Sequence, residues 1–465
     1  MELNSLTAIS PIDGRYSTAS QPLAKYFSEQ ALMKFRLIVE GEYLIALSEA
    51  KIVRKLTEAE KKLIRSLYNL SEQNAQLISD IETNGYKNIK ATDHDVKAVE
   101  YFMKDKLGTT SLKDVLEYIH FALTSEDTNN MAYGIILSES LETIITAKLN
   151  EIIQALNLLA KKSANLPMLA RTHGQPASPT TFGKEFKVFV SRLNKQMEIL
   201  KNQKISVKLN GATGNYNAAV AAFPKADWVK FTENFIEHVN DNKKNKAIKL
   251  TANLTTAQIE PHDSYVEVFD CLRRINSILI DFNQDMWRYI SDEWIAQKPA
   301  EGTVGSSTMP HKINPIKFEN SEGNLGMANA LFEFFARKLP ISRLQRDLSD
   351  STVQRNFGTA FAHCLVAYEY LLKGLLTISI NEQKVRADLN SHPEVVAEAI
   401  QTVLRREGVK MPYEQLKELT RGKQITLADI HNFIDSLAVN NKIKKELKTF
   451  TPENYTGLAS KLAEI

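Results

Sequence analysis

Between residues 264 and 290 the apolar side chains Tyr265, Val268, Phe269, Leu272, Ile275, Leu279, Phe282, Met286 and Tyr289 recur three or four positions apart. That spacing marks one face of a long α-helix, and it conflicts with the two-residue alternation of a half-buried strand. Similar stripes run through 141–159, 182–200 and 357–375, with a shorter apolar stretch over 325–335. Sustained strand-type alternation is scarce. The pattern predicts an all-α fold built around a central bundle of long helices. Off-stripe apolar residues such as Ile280 and Phe335 call for burial on more than one side. Either a large monomeric core or oligomerisation would supply it, and periodicity does not choose between them.

Breaks in the helical pattern divide the chain into three regions. An N-terminal helical region covers 1–112, where residues 106–111 around Gly108 separate two helical patterns; a central region covers 113–376; a smaller C-terminal region covers 377–465, with helix signals over 393–406 and 427–437. A chain of 465 residues with 43% hydrophobic content can bury a large core. Its 58 basic and 55 acidic residues nearly cancel, so there is no strong pull toward nucleic acid or anionic membrane, and any anion site must be local. Cys271 and Cys364 lie outside any Cys-x-x-Cys pattern, which argues against a disulfide framework or thiolate zinc site and for a reducing compartment. The first ten residues lack a charged region followed by an apolar one, and no uncharged apolar run approaches membrane-spanning length. These features place the chain in the cytoplasm. Without a Walker loop, a Gly-x-Gly-x-x-Gly turn, a His-Glu-x-x-His helix or an EF-hand, the sequence gives no sign of a cofactor or metal. The chemistry must come from side chains.

Five segments carry candidate chemistry. Gly305-Ser306-Ser307-Thr308-Met309-Pro310-His311-Lys312-Ile313-Asn314-Pro315 packs two hydroxyls, a lysine and an amide between helix-opposing residues. In it Lys312 and Asn314 would fix an anion while a serine works on the neighbouring carbon, although composition alone also fits an ordinary Ser/Thr turn. In Arg171-Thr172-His173-Gly174-Gln175-Pro176-Ala177-Ser178-Pro179 the glycine and prolines hold His173, a proton donor or acceptor near neutral pH, in irregular backbone before a helix. Taken alone, His173 reads as structural. His120 to Asp127 offers the hydroxyls of Thr124 and Ser125 for a carboxylate, while Thr124 with Asp127 also reads as a cap. Thr92-Asp93-His94-Asp95 sets an imidazole between two carboxylates but supplies no complete metal ligand set. Gln258-Ile259-Glu260-Pro261-His262-Asp263 precedes the long helix, and Asp263 reads as its cap.

Together these segments resemble the adenylosuccinate lyase branch of the fumarase/aspartase superfamily. The similarity runs from Ser10-Pro11-Ile12-Asp13-Gly14-Arg15-Tyr16 to the C-terminal region. Its most specific parts are the serine loop with its extension Ile316-Lys317-Phe318-Glu319-Asn320-Ser321-Glu322-Gly323-Asn324, and Gln345-Arg346-Asp347-Leu348-Ser349-Asp350-Ser351-Thr352-Val353-Gln354-Arg355-Asn356. One departure is Asp93, where the resemblance leads one to expect asparagine.

The resemblance implies three helical domains and a homotetramer whose central helices form a common bundle, with active sites shared between subunits. It also implies purine nucleotide substrates. Fumarate would be eliminated from adenylosuccinate to give AMP, and from the succinylocarboxamide ribotide (SAICAR) to give AICAR, without cofactor or metal. Ser306 would then be the base and His173 the general acid. Lys312 and Asn314 would lie beside the growing charge, and Thr124, Ser125, Gln258 and Ser307 would hold the succinyl carboxylates. His94, flanked by Asp93 and Asp95, would place the substrate or tune the acid. Arg15, Tyr16, Arg346, Ser351, Thr352 and Arg355 would take the phosphate end, since guanidinium groups suit bidentate phosphate binding. A serine is a weak base, so the serine loop is expected to close over substrate and exclude water. Competing readings are another lyase of the superfamily, such as argininosuccinate lyase, and a non-catalytic helical relative of the lens type. Nucleic-acid binding is disfavoured by the balanced charge.

Overall fold

A computed structural model describes residues 4–243, 247–298, 309, 311–422 and 425–465. The predicted stripes form helices: Asp263–Ser291 follows the 264–290 pattern, and Phe182–Lys201, Ile316–Lys338 and Phe357–Leu375 contain the 182–200, 325–335 and 357–375 stretches. The 141–159 stripe belongs to a longer rod that starts at Ser125–Ser140, passes through a π-helical turn at Leu141–Ile145 and continues as Thr146–Lys162. Among the described residues no helix is long and apolar enough to cross a membrane.

Two compact units make up the chain, each discontinuous in sequence. The first comprises Met1–Leu149, Gln196–Ser277 and Gly323–Glu369. Its core contains an aromatic stack in which Phe269 meets Phe332 at 5.3 Å, Phe357 at 5.1 Å and Phe335 at 5.6 Å between ring centroids, within the range where ring pairs add to area burial. Beside this stack the buried Asn276 is satisfied by Tyr368 Oη at 2.7 Å and Asn329 at 3.0 Å, as a polar group out of water requires. The helix Glu29–Glu49 starts at Ser28, whose Oγ accepts from Ala31 N at 3.1 Å, and packs against Ser125–Ser140.

The second unit comprises Asn150–Lys195, Ile278–Glu322 and Tyr370–Ile465. In it Leu389, Val396, Ile400, Leu404, Ile430 and Ile434 form the centre of a C-terminal apolar cluster that Leu169 joins. Leu169 lies on an antiparallel hairpin, Pro167–Thr172 with Gln175–Thr181. Two further ribbons occur among the described residues, Lys204–Val207 parallel to Lys249–Ala252 in the first unit and Ile295–Gln297 antiparallel to Ile378–Ile380 in the second. All are short, which is why no alternation announced them. Pro176 and Pro179 sit inside a strand because a two-stranded ribbon leaves one N–H side of each strand unpaired, and the register shifts between Met168 and Ala170.

Candidate active site

In the first unit two helix starts converge. His94 caps Asp95–Leu107, its Nδ1 accepting from Lys97 N at 3.3 Å. Because Nδ1 accepts from a backbone N–H, the neutral ring carries its proton on Nε2, and that nitrogen lies 3.2 Å from Ser125 Oγ. Ser125 opens the helix Ser125–Ser140, behind Thr124, whose N–H donates to Asp127 Oδ2 at 2.8 Å. The capping expected from Thr124 and Asp127 is therefore present, and it leaves Ser125 beside His94. Backbone N–H groups at two helix starts favour a negatively charged ligand there.

Asp93 precedes His94 with φ +46°, a left-handed backbone that asparagine and aspartate tolerate better than most residues. Asp95 is held by two arginines: its Oδ2 accepts from Arg36 Nη2 at 2.6 Å and from Arg355 Nη2 at 2.9 Å. Burial would raise its carboxyl, but Arg36 and Arg355 outweigh burial and hold it down at about 2. Arg355 also donates to Ser351 Oγ at 3.1 Å. The structure thus brings Asp95, Ser351 and Arg355 together, with Thr352 exposed on the same helix, Ser349–Gln354.

Arg346 lies deeper, its Nη2 3.2 Å from Glu126 Oε2 and 3.7 Å from Asp350 Oδ2. Gln258 is half-buried, and its carbonyl accepts from Lys208 Nζ at 2.8 Å. The same lysine pairs with Asp127 at 2.9 Å, both side chains fully buried. Arg15 is exposed and Tyr16 half-buried on a turn in which Tyr16 N donates to Pro11 O at 2.8 Å.

In the second unit His173 and Gly174 form the two-residue turn of the hairpin, with φ +54° and +75° and Thr172 paired to Gln175. Irregular backbone before a helix was the expectation. A tight turn with positive φ at both central residues replaces it, the kind whose twist matches antiparallel strands. His173 is exposed at the tip. The hairpin is anchored below by Arg171, which pairs with Asp388 at 3.2 Å, and by Ser178, which hydrogen-bonds Glu398. Lys312 is exposed and its N–H donates to Met309 O at 3.0 Å; Asn314 is half-buried just before Ile316–Lys338. Ser306 and Ser307 lie outside the described residues. Asp263, expected as a cap, is instead the first helical residue, and the His262 carbonyl accepts from Tyr265 and Val266.

Sequence reasoning passed over Arg36, Lys208 and the trio Glu126, His262 and Asp350. All are buried, and charged residues inside a core are the signal that was available once burial was known.

The chain's resemblance to known proteins is extensive. A family model described as lyase matches residues 14–329, and one described as adenylosuccinate lyase C-terminal matches residues 342–456. The adenylosuccinate lyase of Dictyostelium discoideum is 48% identical over 470 residues, covering 98% of each chain. That of Legionella pneumophila is 47% identical over 469 residues, covering 100% of this chain and 99% of the relative. A crystal structure of a fumarate lyase from Mesorhizobium sp. BNC1 superposes with a TM-score of 0.71 over 96% of both chains at 16% identity, which shows the shared fold. With nearly every residue matched at close to half identity, the chain belongs to the adenylosuccinate lyase family of the fumarase/aspartase superfamily.

Proposed function

We propose that this chain is a carbon–nitrogen lyase of purine biosynthesis, eliminating fumarate from adenylosuccinate to leave AMP and from SAICAR to leave AICAR. The observation that carries the reading is the pair of converging helix starts where His94 Nε2 meets Ser125 Oγ at 3.2 Å, with Asp95 and Ser351 both held by Arg355 in the same unit. Hydroxyls and helix N–H groups suit a succinyl carboxylate, and guanidiniums suit a phosphate.

The chemical difficulty is removing a proton from carbon beside a carboxylate. The electron pair left behind loads a second charge onto that carboxylate, which Lys312 and Asn314 would stabilise together with Thr124, Ser125, Gln258 and Ser307. Ser306 takes the proton. The electron pair then forms the fumarate double bond as the carbon–nitrogen bond breaks, and His173 delivers a proton to the departing nitrogen. An exposed imidazole at a hairpin tip can reach a bound substrate without disturbing a core. His94, fixed in its tautomer by the Lys97 N–H, positions the succinyl group. Arg15, Tyr16, Arg346, Ser351, Thr352 and Arg355 receive the phosphate end.

The same reading includes a homotetramer with shared active sites, carried by the family resemblance, a division into 1–112, 113–376 and 377–465, drawn at breaks in the helical pattern, and a cytoplasmic location, drawn from the sparse cysteines and the amino-terminal sequence. The test is a comparison of kcat/KM for adenylosuccinate and argininosuccinate. A strong preference for adenylosuccinate, lost through KM in Arg15→Ala and Arg355→Ala, supports the reading. Equal or reversed preference overturns it.

A further inference from the structure

Behind Arg346 lies a buried group that the elimination itself does not use. Glu126, His262 and Asp350 are 1%, 0% and 2% exposed, and each contributes one polar atom to a cluster in which those atoms lie within 4.8 Å of one another. Such spacing would suit a cation, and the Arg346 guanidinium supplies one: its Nη2 contacts both carboxyls. Among the described residues neither oxygen of Glu126 accepts a hydrogen bond, and the Nε of Arg346 donates none. Buried polar groups are rarely left this way without a purpose.

The surrounding charges do not account for them. Asp127 and Lys208 satisfy each other at 2.9 Å. The groups facing Glu126 are therefore Arg346 and Asp350 on the 346–350 segment, the Lys208–Asp127 pair, Tyr265 and His262. Two carboxyls share one guanidinium, an excess of negative charge that a dry interior opposes. Burial accordingly drives the Glu126 and Asp350 carboxyls above their usual range, and burial pushes His262 down to about 3, leaving it neutral. Gln354 Nε2 meets His262 Nε2 at 2.7 Å and holds that ring in place.

We infer that Glu126 and Asp350 are positioning residues for Arg346: they grip its guanidinium through Nη2 and orient the planar fork, so that the edge they do not occupy meets the substrate phosphate. A guanidinium has five donors in one plane, so fixing one terminal nitrogen fixes the direction of the others. Burial, with the neighbouring Asp350 charge, pushes the Glu126 carboxyl up to about 8, so at neutral pH it keeps its proton and stays uncharged beside Arg346. Loss of that proton at higher pH adds a negative charge, which competes with the phosphate. The inference rests on the reading of Arg346 as a phosphate ligand.

The test measures kcat and KM for adenylosuccinate and for succinyladenosine, its phosphate-free counterpart, in Arg346→Ala, Glu126→Ala, Asp350→Ala and Glu126→Gln. The Glu126→Ala and Asp350→Ala variants should raise KM for adenylosuccinate about tenfold, equivalent to about 1.4 kcal/mol of lost binding, with kcat and the succinyladenosine KM little changed. Glu126→Gln, shaped like the protonated acid, should keep the wild-type KM at neutral pH. Wild-type KM for adenylosuccinate should rise as pH increases above neutral, and the Glu126→Gln profile should stay flatter. That pH comparison decides the matter even if the alanine variants fail to fold. If Arg346→Ala leaves discrimination between the substrates intact, the phosphate reading fails. If Arg346→Ala abolishes discrimination while folded Glu126 and Asp350 variants keep it, the positioning role alone fails. A KM raised equally for both substrates, or identical pH profiles in wild type and Glu126→Gln, also overturns it.

Discussion

Replacing Asp95 by asparagine removes the one charge that joins Arg36 to Arg355. The Asp95 carboxyl falls from an ordinary 3.8 to about 2, a drop of about 1.8, and each such unit is worth about 1.36 kcal/mol, so ionised Asp95 contributes about 2.4 kcal/mol. Its side chain is 22% exposed, and among the described residues Arg36, at 1%, has only Asn129 Oδ1, at 2.8 Å, as its other hydrogen-bond partner. An uncompensated buried guanidinium adds to the loss. The sign follows from the direction of the shift. A depressed carboxyl stabilises the fold above its unfolded value near 4, and the benefit fades as pH falls toward 2. About half should remain at pH 3. Urea unfolding of wild type and Asp95→Asn at pH 7, 4 and 3, followed by far-ultraviolet circular dichroism, checks this. The variant should be less stable at pH 7 by at least about 2 kcal/mol, and the gap should narrow by pH 3. Equal stability at pH 7, or a gap that ignores pH, would refute the reasoning.

Other expectations are as direct. His94→Ala removes a helix cap, a loss of about 1 kcal/mol, and the partner of Ser125; a modest fall in Tm with a much higher KM for adenylosuccinate is expected, and an unchanged KM would separate His94 from substrate. His173→Gln should lower kcat by about a hundredfold or more with an unaltered circular dichroism spectrum, because the side chain is exposed at a turn. In Gly183→Ala the new methyl would lie 2.4 Å from Ala160 O and 2.5 Å from Ala164 Cα, and backbone does not yield as a side chain does. Thermal melting should show a loss of about 1–3 kcal/mol.

The long helices were legible in the sequence because each presents a continuous apolar face at helical spacing, as Asp263–Ser291 does. The Thr124 and Asp127 cap was legible from its spacing, but nothing in 92–95 or 120–127 announces that His94 Nε2 meets Ser125 Oγ. The His173 turn was legible as a break but not as a hairpin, since Pro176 and Pro179 mask a strand whose pairing is set by tertiary position. The Glu126, His262 and Asp350 cluster was invisible for a different reason. Its members lie in three segments far apart in sequence, and only burial distinguishes them from surface charges. Local pattern reports which face is apolar; it does not report which distant carboxyl meets which arginine.

The measurement closest to the central claim is cleavage of adenylosuccinate by the purified chain, followed by ultraviolet absorbance with AMP and fumarate identified as products, and with Ser306→Ala run beside it. The account predicts stoichiometric AMP and fumarate from the wild type and almost none from a folded Ser306→Ala. A folded wild type that releases no fumarate, or a Ser306→Ala variant as fast as the wild type, would contradict it.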